Sequence, residues 1–574
     1  MPTSAEVRAQ LTGPSGMFEV VTEEVLGRPT QVYASRMPSL RSVAEVGLQR
    51  GDDTTFIVYG DRTYGFGAFV QTANGVAHAL RERFGLAKGD RVAVLSQNNP
   101  EWCLAFWATV QQGAILVGLN GWWTTDEIEY GLQDSGAKVL VADRKRFERI
   151  AASLDAAPAL EHVFLVDCSP AEVGLADDPR IHAFAELTGA PTDAFVNDDI
   201  AEDDPAVIFY TSGTTGRPKG AISTHRSMVA NLQNTMFNAV AGSMSGGGAL
   251  PDAGSGQNVS LFTSPLFHVS GCHSTLVVGL LAGLKLVMPE GRFTPDTALA
   301  LIQDHGVTIW ATVPTMVWRV CEHPDRHAYD TASVRSVAFG GSPSADELQR
   351  MIRETFPNVT STSNAYGLTE TSSVATVISG QEALDRPTSV GPPVPTVELQ
   401  IVDAAGRVLT TGETGEVCIR GPILMAGYWN KPEATAEAID ADGWLHTGDI
   451  GHRDPDGFLY ITDRAKDMII RGGENIYCVE IEQRLVNHPD IADAAIIGVP
   501  HPELGEEVKA VVQLEAGATL TEAEVRQWVA DGLAAFKVPT YVEVSIDKLP
   551  RNASGKLLKN VLRGEGDVSF AETM

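Results

Sequence analysis

The amino-acid sequence predicts an α/β fold, with parallel α/β layers over the first two-thirds of the chain followed by a compact α+β unit. Three observations carry this. Ahead of Asp463, apolar strand-like runs alternate with amphipathic helix-like segments, as in sheets covered by helices. At 574 residues the chain exceeds what one hydrophobic core supports, so at least two domains are expected. After Asp463 the pattern changes scale, to a run of shorter elements the size of a small domain.

Taken in order, residues 92–95 and 139–141 are continuous apolar runs and read as buried strands. Residues 207–210 (VIFY) are another strand-like run. Residues 241–257 hold six glycines with almost no periodicity and read as a surface loop. A strand at 337–339 leads into a helix over 344–356. Ser344 and Glu347 have capping-box spacing there, and Leu348, Met351, Ile352 and Phe356 form one apolar stripe. In the C-terminal unit a helix is expected at 479–486 and strands at 491–499 and 508–514. A helix capped by Thr521 and Glu524 should run to Ala535, with a last strand at 541–546. Charge and pattern place the boundary at 463–466.

Hydrophobic residues at 44% and charged residues at 20% describe an ordinary globular protein. The 43 Lys and Arg against 73 Asp and Glu give a net charge of −30, which repels nucleic acid and anionic lipid and excludes both as partners. It does not exclude a nucleotide, which local amides, lysines and a metal ion can hold. The six cysteines (Cys103, Cys168, Cys272, Cys321, Cys418, Cys478) form no CxxC pair, so neither a zinc site nor a disulfide framework is expected. Residues 1–16 lack a basic stretch followed by an apolar core, and the longest apolar stretch, 276–284, is cut short by Lys285. The expectation is a soluble cytoplasmic protein with reduced thiols.

Residues 211–220 read TSGTTGRPKG, directly after the strand at 207–210. The glycines free the backbone to turn its amides inward. Thr211, Ser212, Thr214 and Thr215 add hydroxyl donors and Lys219 a positive charge, which suits a polyphosphate. It is not a Walker loop, because Pro218 stands where that pattern needs glycine and Gly220 follows Lys219. A flexible polar turn is the plain alternative. Residues 340–343 (GGSP) join a strand to a helix, where glycines admit a flat ligand and helix amides are free, or simply make a tight turn. Residues 364–370 (NAYGLTE) offer an aromatic for a base, a threonine for phosphate and a carboxylate for Mg²⁺, though core packing and surface charge explain them too. In residues 444–449 (WLHTGD), Asp449 can accept both hydroxyl protons of a ribose, or cap a turn. Lys556 ends residues 550–556 (PRNASGK), where an ordinary surface cation is the alternative. His268, in residues 264–271 (SPLFHVSG), suits packing or gating better than acid–base work, since a carboxylate substrate has no proton to give up. Residues 471–475 (RGGEN) read as a β-turn.

TSGTTGRPKG resembles the signature loop of the adenylate-forming superfamily, which includes acyl-CoA synthetases, firefly luciferase and peptide-synthetase adenylation domains. The resemblance runs from about residue 55 to about residue 560, through several motifs in the family's order. It implies a large N-terminal domain (1–463) of α/β layers plus a small distorted β-barrel, a hinge (464–466), and a small mobile α+β C-terminal lid (467–574). It implies ATP, Mg²⁺ and coenzyme A as cofactors. Thr211, Ser212, Gly213, Thr214, Thr215, Gly216 and Lys219 would hold the phosphates. Gly341, Ser342 and Pro343 would lie against adenine and the acyl group. Of the motif Asn364, Ala365, Tyr366, Gly367, Leu368, Thr369 and Glu370, Tyr366 would meet adenine, Thr369 the phosphates, and Glu370 the magnesium ion. Asp449, helped by Arg464, would bind the ribose hydroxyls. Lys556 would contact the carboxylate and the α-phosphate during adenylation. Rotation of the lid about Lys466 would then bring Gly473 to the pantetheine tunnel, with Phe536 and Lys537 near the CoA nucleotide. The position of His268 is commonly aromatic in the family and closes the acyl pocket.

The activity so implied is that of an ATP-dependent, AMP-forming carboxylic acid:CoA ligase working through acyl-AMP. Peptide-synthetase domains keep an aspartate near residues 264–273 for the substrate amine; this chain has none, and a buried unpaired ammonium is costly, so amino acids are disfavoured. Apolar Val269, Val313 and Met316, with Trp310 nearby, suggest a greasy tunnel. Fatty acids come first, with aryl and sterol-derived acids close behind. The main rival is an acyl-AMP ligase loading a carrier protein in trans, since eighteen residues after Lys556 leave no room for a fused carrier. A luciferase-like oxygenase and a catalytically dead acyl-nucleotide-binding module are weaker rivals; intact Lys219, Glu370, Asp449 and Lys556 speak against the latter. Expected partners are therefore small molecules, without integral membrane association; a homodimer stays open.

Overall fold

The computed structural model describes residues 2–211, 217–245, 256–340, 346–464, 467–471, 474–545, 547–551 and 557–564. Two large sheets occupy the first two-thirds of the chain. The seven-stranded sheet runs, edge to edge, Lys219–Thr224, Pro205–Thr211, Ile115–Gly118, Arg91–Leu95, Val139–Asp143, His162–Val166 and Ile181–Ala183. Every pairing in it is parallel except the first, the hairpin of Pro205–Thr211 with Lys219–Thr224. The eight-stranded sheet runs Ser373–Ser379, Ser361–Leu368, Ser336–Gly340, Ile309–Thr312, Val259–Leu261, Lys285–Met288, Thr55–Tyr59 and Arg62–Gly65. Its interior is parallel and both outer pairs are antiparallel.

Parallel strands covered on both faces need apolar residues throughout, as Val92 to Leu95 and Val139 to Ala142 provide, all buried. The helix Pro100–Val110 (PEWCLAFWATV) is apolar all round, and the rest of it past Glu101 is buried, as a helix packed on every side must be. Asn99 accepts the Trp102 amide and Pro100 takes the first helical position, which fixes its start.

Smaller sheets follow, antiparallel except for the pairing of Gly505–Leu514 with Tyr541–Ser545, which is parallel. Glu398–Val402, Gly415–Arg420, Leu445–Arg453 and Leu459–Arg464 form a four-stranded antiparallel sheet. Past it, Ile469–Arg471, Glu474–Ile476, Gly505–Leu514, Ile491–His501 and Tyr541–Ser545 make a sheet that, among the described residues, pairs with none of the others. Its helices Cys478–Val486 and Glu522–Ala530 bury Ile481, Leu485, Val525 and Val529 in a core of their own.

Two expectations are corrected. The glycine-rich stretch is not loop from its first residue, because the helix His225–Met244 takes in 241–244; Val240, Ala241 and Met244 pack against the cluster of Val7 and Phe18, and that burial outweighs the glycine. The helix capped by Thr521 and Glu524 stops at Ala530, short of Ala535. There Gly532 passes the Arg484 side chain, whose Nε would lie 2.6 Å from any Cβ. The helix Asp346–Thr355 is as expected, while Ser344, the residue expected to cap it, lies outside the described residues. Among the described residues no helix is long and apolar enough to cross a membrane.

Candidate active site

Each large sheet ends in an antiparallel hairpin. Of the described nucleotide-binding candidates, Thr211 and Lys219 lie on one of these edges and Tyr366 on the other, with Asp449 and Arg464 on the adjoining four-stranded sheet. On the seven-stranded sheet Thr211 pairs with Lys219 across the hairpin, and Thr211 Oγ1 donates to the Lys219 carbonyl at 3.4 Å. Beside it runs the segment 426–429, joined by Ala426 N to Ile222 O at 2.9 Å, Ile222 N to Gly427 O at 3.0 Å and Trp429 N to Gly220 O at 2.7 Å. This sets Tyr428 beneath the lysine, with Lys219 Nζ 5.1 Å from its ring centroid, a cation–π distance. The Tyr428 hydroxyl donates to Glu370 Oε1 at 2.8 Å. Burial, then the Glu370 charge, push the Tyr428 phenol up, so it stays a donor. Glu370 Oε2 has no partner among the described residues. An oxygen donor of this kind fits Mg²⁺.

On the eight-stranded sheet, Tyr366 donates to Asp449 Oδ2 at 2.6 Å. Arg464 Nε lies 3.1 Å from Asp449 Oδ1, and Asp449 is only 4% exposed. Asp449 and Arg464 face each other across Leu445–Arg453 and Leu459–Arg464. Burial and then Asp449 hold the Tyr366 phenol protonated. Each Asp449 oxygen keeps a second lone pair, so a diol can still be received.

One stretch of chain, from Tyr366 to Glu370, serves both clusters. A Cβ on Gly367 would sit 1.7 Å from the Ser373 carbonyl, so only glycine lets this hairpin close. Past Glu370 the backbone turns through positive φ at Ser372 (48°) and Ser373 (118°), strained for side chains other than glycine. Ser372 Oγ bonds Ser223 Oγ at 3.0 Å and Ser227 Oγ at 2.9 Å, which holds the turn against the phosphate hairpin. From behind, His273 Nδ1 donates to the Ser372 carbonyl at 3.1 Å, and its ring stacks 5.3 Å from Phe209. Burial pushes His273 down to about 4, so it is neutral. Tyr428 and His273 escaped the sequence reading as site residues: Tyr428 sits outside every motif, and a lone histidine carries no signal of its own.

On the acyl side, His268 caps the helix Val269–Gly271, with Nδ1 3.0 Å from Ser270 Oγ, and is half-buried. The expected tunnel is only partly as read. Trp310 is fully buried and Val269 nearly so, both in core clusters. Trp310 Nε1 is spent on Thr263 Oγ1 at 3.0 Å. Val313 and Met316 are half-buried and can still face a substrate.

Asn364 is buried, with Nδ2 3.3 Å from the Ser389 carbonyl; Ala365 follows on the same strand and Thr369 opens the turn that holds Glu370. Lys537, expected near CoA, is paired with Glu480 at 2.6 Å. Ser212, Gly213, Thr214, Thr215, Gly216, Gly341, Ser342, Pro343, Lys466, Gly473 and Lys556 lie outside the described residues.

A family model described as AMP-binding enzyme matches residues 44–429, and one described as AMP-binding enzyme C-terminal domain matches 480–556. The chain belongs to the AMP-binding enzymes. Relatives of this AMP-binding enzyme include a feruloyl-CoA synthase of Amycolatopsis sp, 34% identical over 85% of this chain and 91% of that protein. Another is the fatty acid–[acyl-carrier-protein] ligase ScoC of Streptomyces coeruleorubidus, 32% identical over 93% of this chain and 97% of that one. Among solved structures, ATP-bound MatB from Rhodopseudomonas palustris aligns with a TM-score of 0.78 at 30% identity, covering 91% of this chain and 98% of that one. The protein is thus an adenylate-forming enzyme of the acid:CoA ligase family, and the fold is the family's.

Proposed function

We propose that this AMP-binding enzyme converts a hydrophobic carboxylic acid into its CoA thioester through acyl-AMP. The observation that carries the reading is the run Tyr366 to Glu370, which ties an Asp449–Arg464 pair to a hairpin bearing Lys219. A ribose-type acceptor and a phosphate-type cation are thereby held at the two ends of one strand turn. Lys219 and the loop after Thr211 steady the phosphates, Asp449 and Arg464 hold the ribose, and Tyr366 orients Asp449 beside the base. Mg²⁺ held by Glu370 would offset charge on the triphosphate and on departing pyrophosphate. A substrate carboxylate oxygen attacks the α-phosphorus, the bond to the bridging oxygen breaks, and pyrophosphate leaves with its electron pair. Lys556 neutralises charge as that step develops. The CoA sulfur, its proton lost to solvent, then attacks the acyl carbon and AMP departs.

Residues 1–463 serve as the adenylating body, 464–466 as the hinge and 467–574 as the lid that brings Gly473 to the thiol path. Adenylation needs a cation and excludes water; thioester formation needs that space for sulfur. Half-buried Val313 and Met316 favour an apolar acid, with His268 as a gate. A carrier protein as acceptor is the second reading, favoured by the kinship with ScoC.

The test is a panel of fatty, aryl and sterol-derived acids, assayed first for acid-dependent exchange of pyrophosphate into ATP and then for AMP release with CoA or with a carrier protein. Exchange with an apolar acid and CoA-dependent release are expected. No exchange with any acid overturns adenylation; exchange with release only on carrier protein overturns the acceptor.

A further inference from the structure

We propose that Glu416, Cys418 and His446 form a binding site for a thiophilic divalent cation, zinc above all, distinct from Glu370. Glu416 and Cys418 stand two residues apart on Gly415–Arg420, and such residues share a face. His446, on Leu445–Arg453, pairs directly with Cys418 across the ladder. The candidate ligand atoms of the three all lie within 4.8 Å of one another.

The spacing matches a metal's requirements. Bonds of about 2.3 Å to sulfur and about 2.0 Å to nitrogen in a tetrahedron put those ligand atoms about 3.5 Å apart. Cys418 Sγ is 3.5 Å from His446 Nδ1. Glu416 Oε2 is 2.9 Å from the same nitrogen, and a small opening of that contact, to about 3.3 Å, completes a face of the tetrahedron.

The supporting shell is present too. His446 Nε2 lies 3.7 Å from Asp440 Oδ2, an ion-pair distance that a small shift would close to the carboxylate–imidazole hydrogen bond that orients a ligating histidine. Asp440 is itself held, because its Oδ1 accepts the Asp442 and Trp444 amides at 2.9 Å each. Glu416 Oε1 accepts the Gly448 amide at 3.0 Å, which leaves Oε2 for the ion. Cys418 is buried, whereas the side chains of Glu416 and His446 are 28% and 34% exposed. That leaves an entrance and room for water as fourth ligand. Sulfur and imidazole select zinc or cobalt over magnesium. Binding breaks the Cys418 S–H bond and releases its proton, with any proton on Nδ1, to solvent; bonds from Sγ, Nδ1 and Oε2 to the ion form, with no change of oxidation state. The set lacks the CxxC signal because its members come from two paired strands.

The full-length protein, stripped with chelator, is titrated with Co²⁺ alone and then with Zn²⁺. A thiolate-to-cobalt charge-transfer band at one equivalent, displaced by zinc, is expected. Cys418→Ser abolishes the band, His446→Gln weakens binding at least as far as Asp440→Asn, which weakens it about tenfold, and Cys321→Ser leaves it intact. Circular dichroism confirms that each variant is folded; if Cys418→Ser is not, His446→Gln decides. No thiolate band in the parent protein, a band that persists in Cys418→Ser, or cobalt binding by His446→Gln as tight as the parent's, overturns the site.

Discussion

Tyr428 touches Lys219 and Glu370 at once: its hydroxyl donates to Glu370 Oε1 at 2.8 Å, and its ring lies 5.1 Å from Lys219 Nζ. The two charges are thereby held near each other without pairing, so both remain available to a phosphate and its metal ion.

Tyr428→Phe keeps the ring under Lys219 and removes the hydrogen bond to Glu370. A bond to a charged group is worth about 1.5 kcal/mol or more, roughly tenfold in rate. The acyl-AMP formation rate, measured against Mg²⁺ concentration, should fall by about that factor, with a raised Mg²⁺ requirement. Tyr428→Leu should lose more, because the lysine loses its platform as well. An unchanged Mg²⁺ profile in the Phe variant would dismiss the positioning role.

Asp449→Ala removes the acceptor shared by Tyr366 and Arg464 and leaves both unpaired in a mostly buried place. Loss of one partner of such a pair costs about 3 kcal/mol. The kcat/KM for ATP should drop by about 100-fold, and the variant should melt at lower temperature. Arg464→Lys, which keeps the charge but not the planar fork, should show a smaller rise in KM for ATP alone.

Lys556→Ala should separate the half-reactions. Formation of acyl-AMP from acid and ATP should slow by about 100-fold, as when a preorganised donor is removed. Consumption of supplied acyl-AMP with CoA should continue. A wild-type rate of acyl-AMP formation would remove Lys556 from the mechanism.

Acid should loosen the fold through His225 and His273. Burial pushes each down to about 4 from an ordinary 6.5. The unfolded chain therefore takes up protons first. Stability from these groups is full above 6.5 and is lost as pH falls towards 4, by about 3 kcal/mol per histidine. Asp463 acts the other way, since burial pushes its carboxyl up to about 6 and protonation below that favours the folded form. The two histidines outweigh it. Urea melts between pH 7 and pH 4 should show a net loss that His225→Gln reduces; a flat profile would contradict the burial argument.

What the sequence made legible was local. The strand before Thr211, the buried strands at 92–95 and 139–141, and the helix over 346–355 follow from periodicity and glycine placement. What it hid was long-range. Tyr428 meets Glu370 across 58 positions, and no spacing rule reports such a contact. Trp310 reads as a neighbour of the tunnel because the apolar run at 309–311 does not tell which face of its strand is inside; in the structure Trp310 points inward and its ring belongs to the core beside Phe293 and Phe356, while Ile309 and Ala311 are half-buried. His273 shows itself only as the buried support of the Ser372 turn.

Asp463 is the last residue but one of the strand Leu459–Arg464, and its carboxylate accepts both the Arg464 amide, at 2.7 Å, and the amide of Cys478 at the head of the next helix. If the lid pivots between these two positions, the second bond must let go on every turnover. The junction then behaves as a spring catch: released at a cost of about 2 kcal/mol for a charge-assisted hydrogen bond, and pressed home again when the lid returns. Loosening that catch would speed the swing while leaving each chemical step untouched.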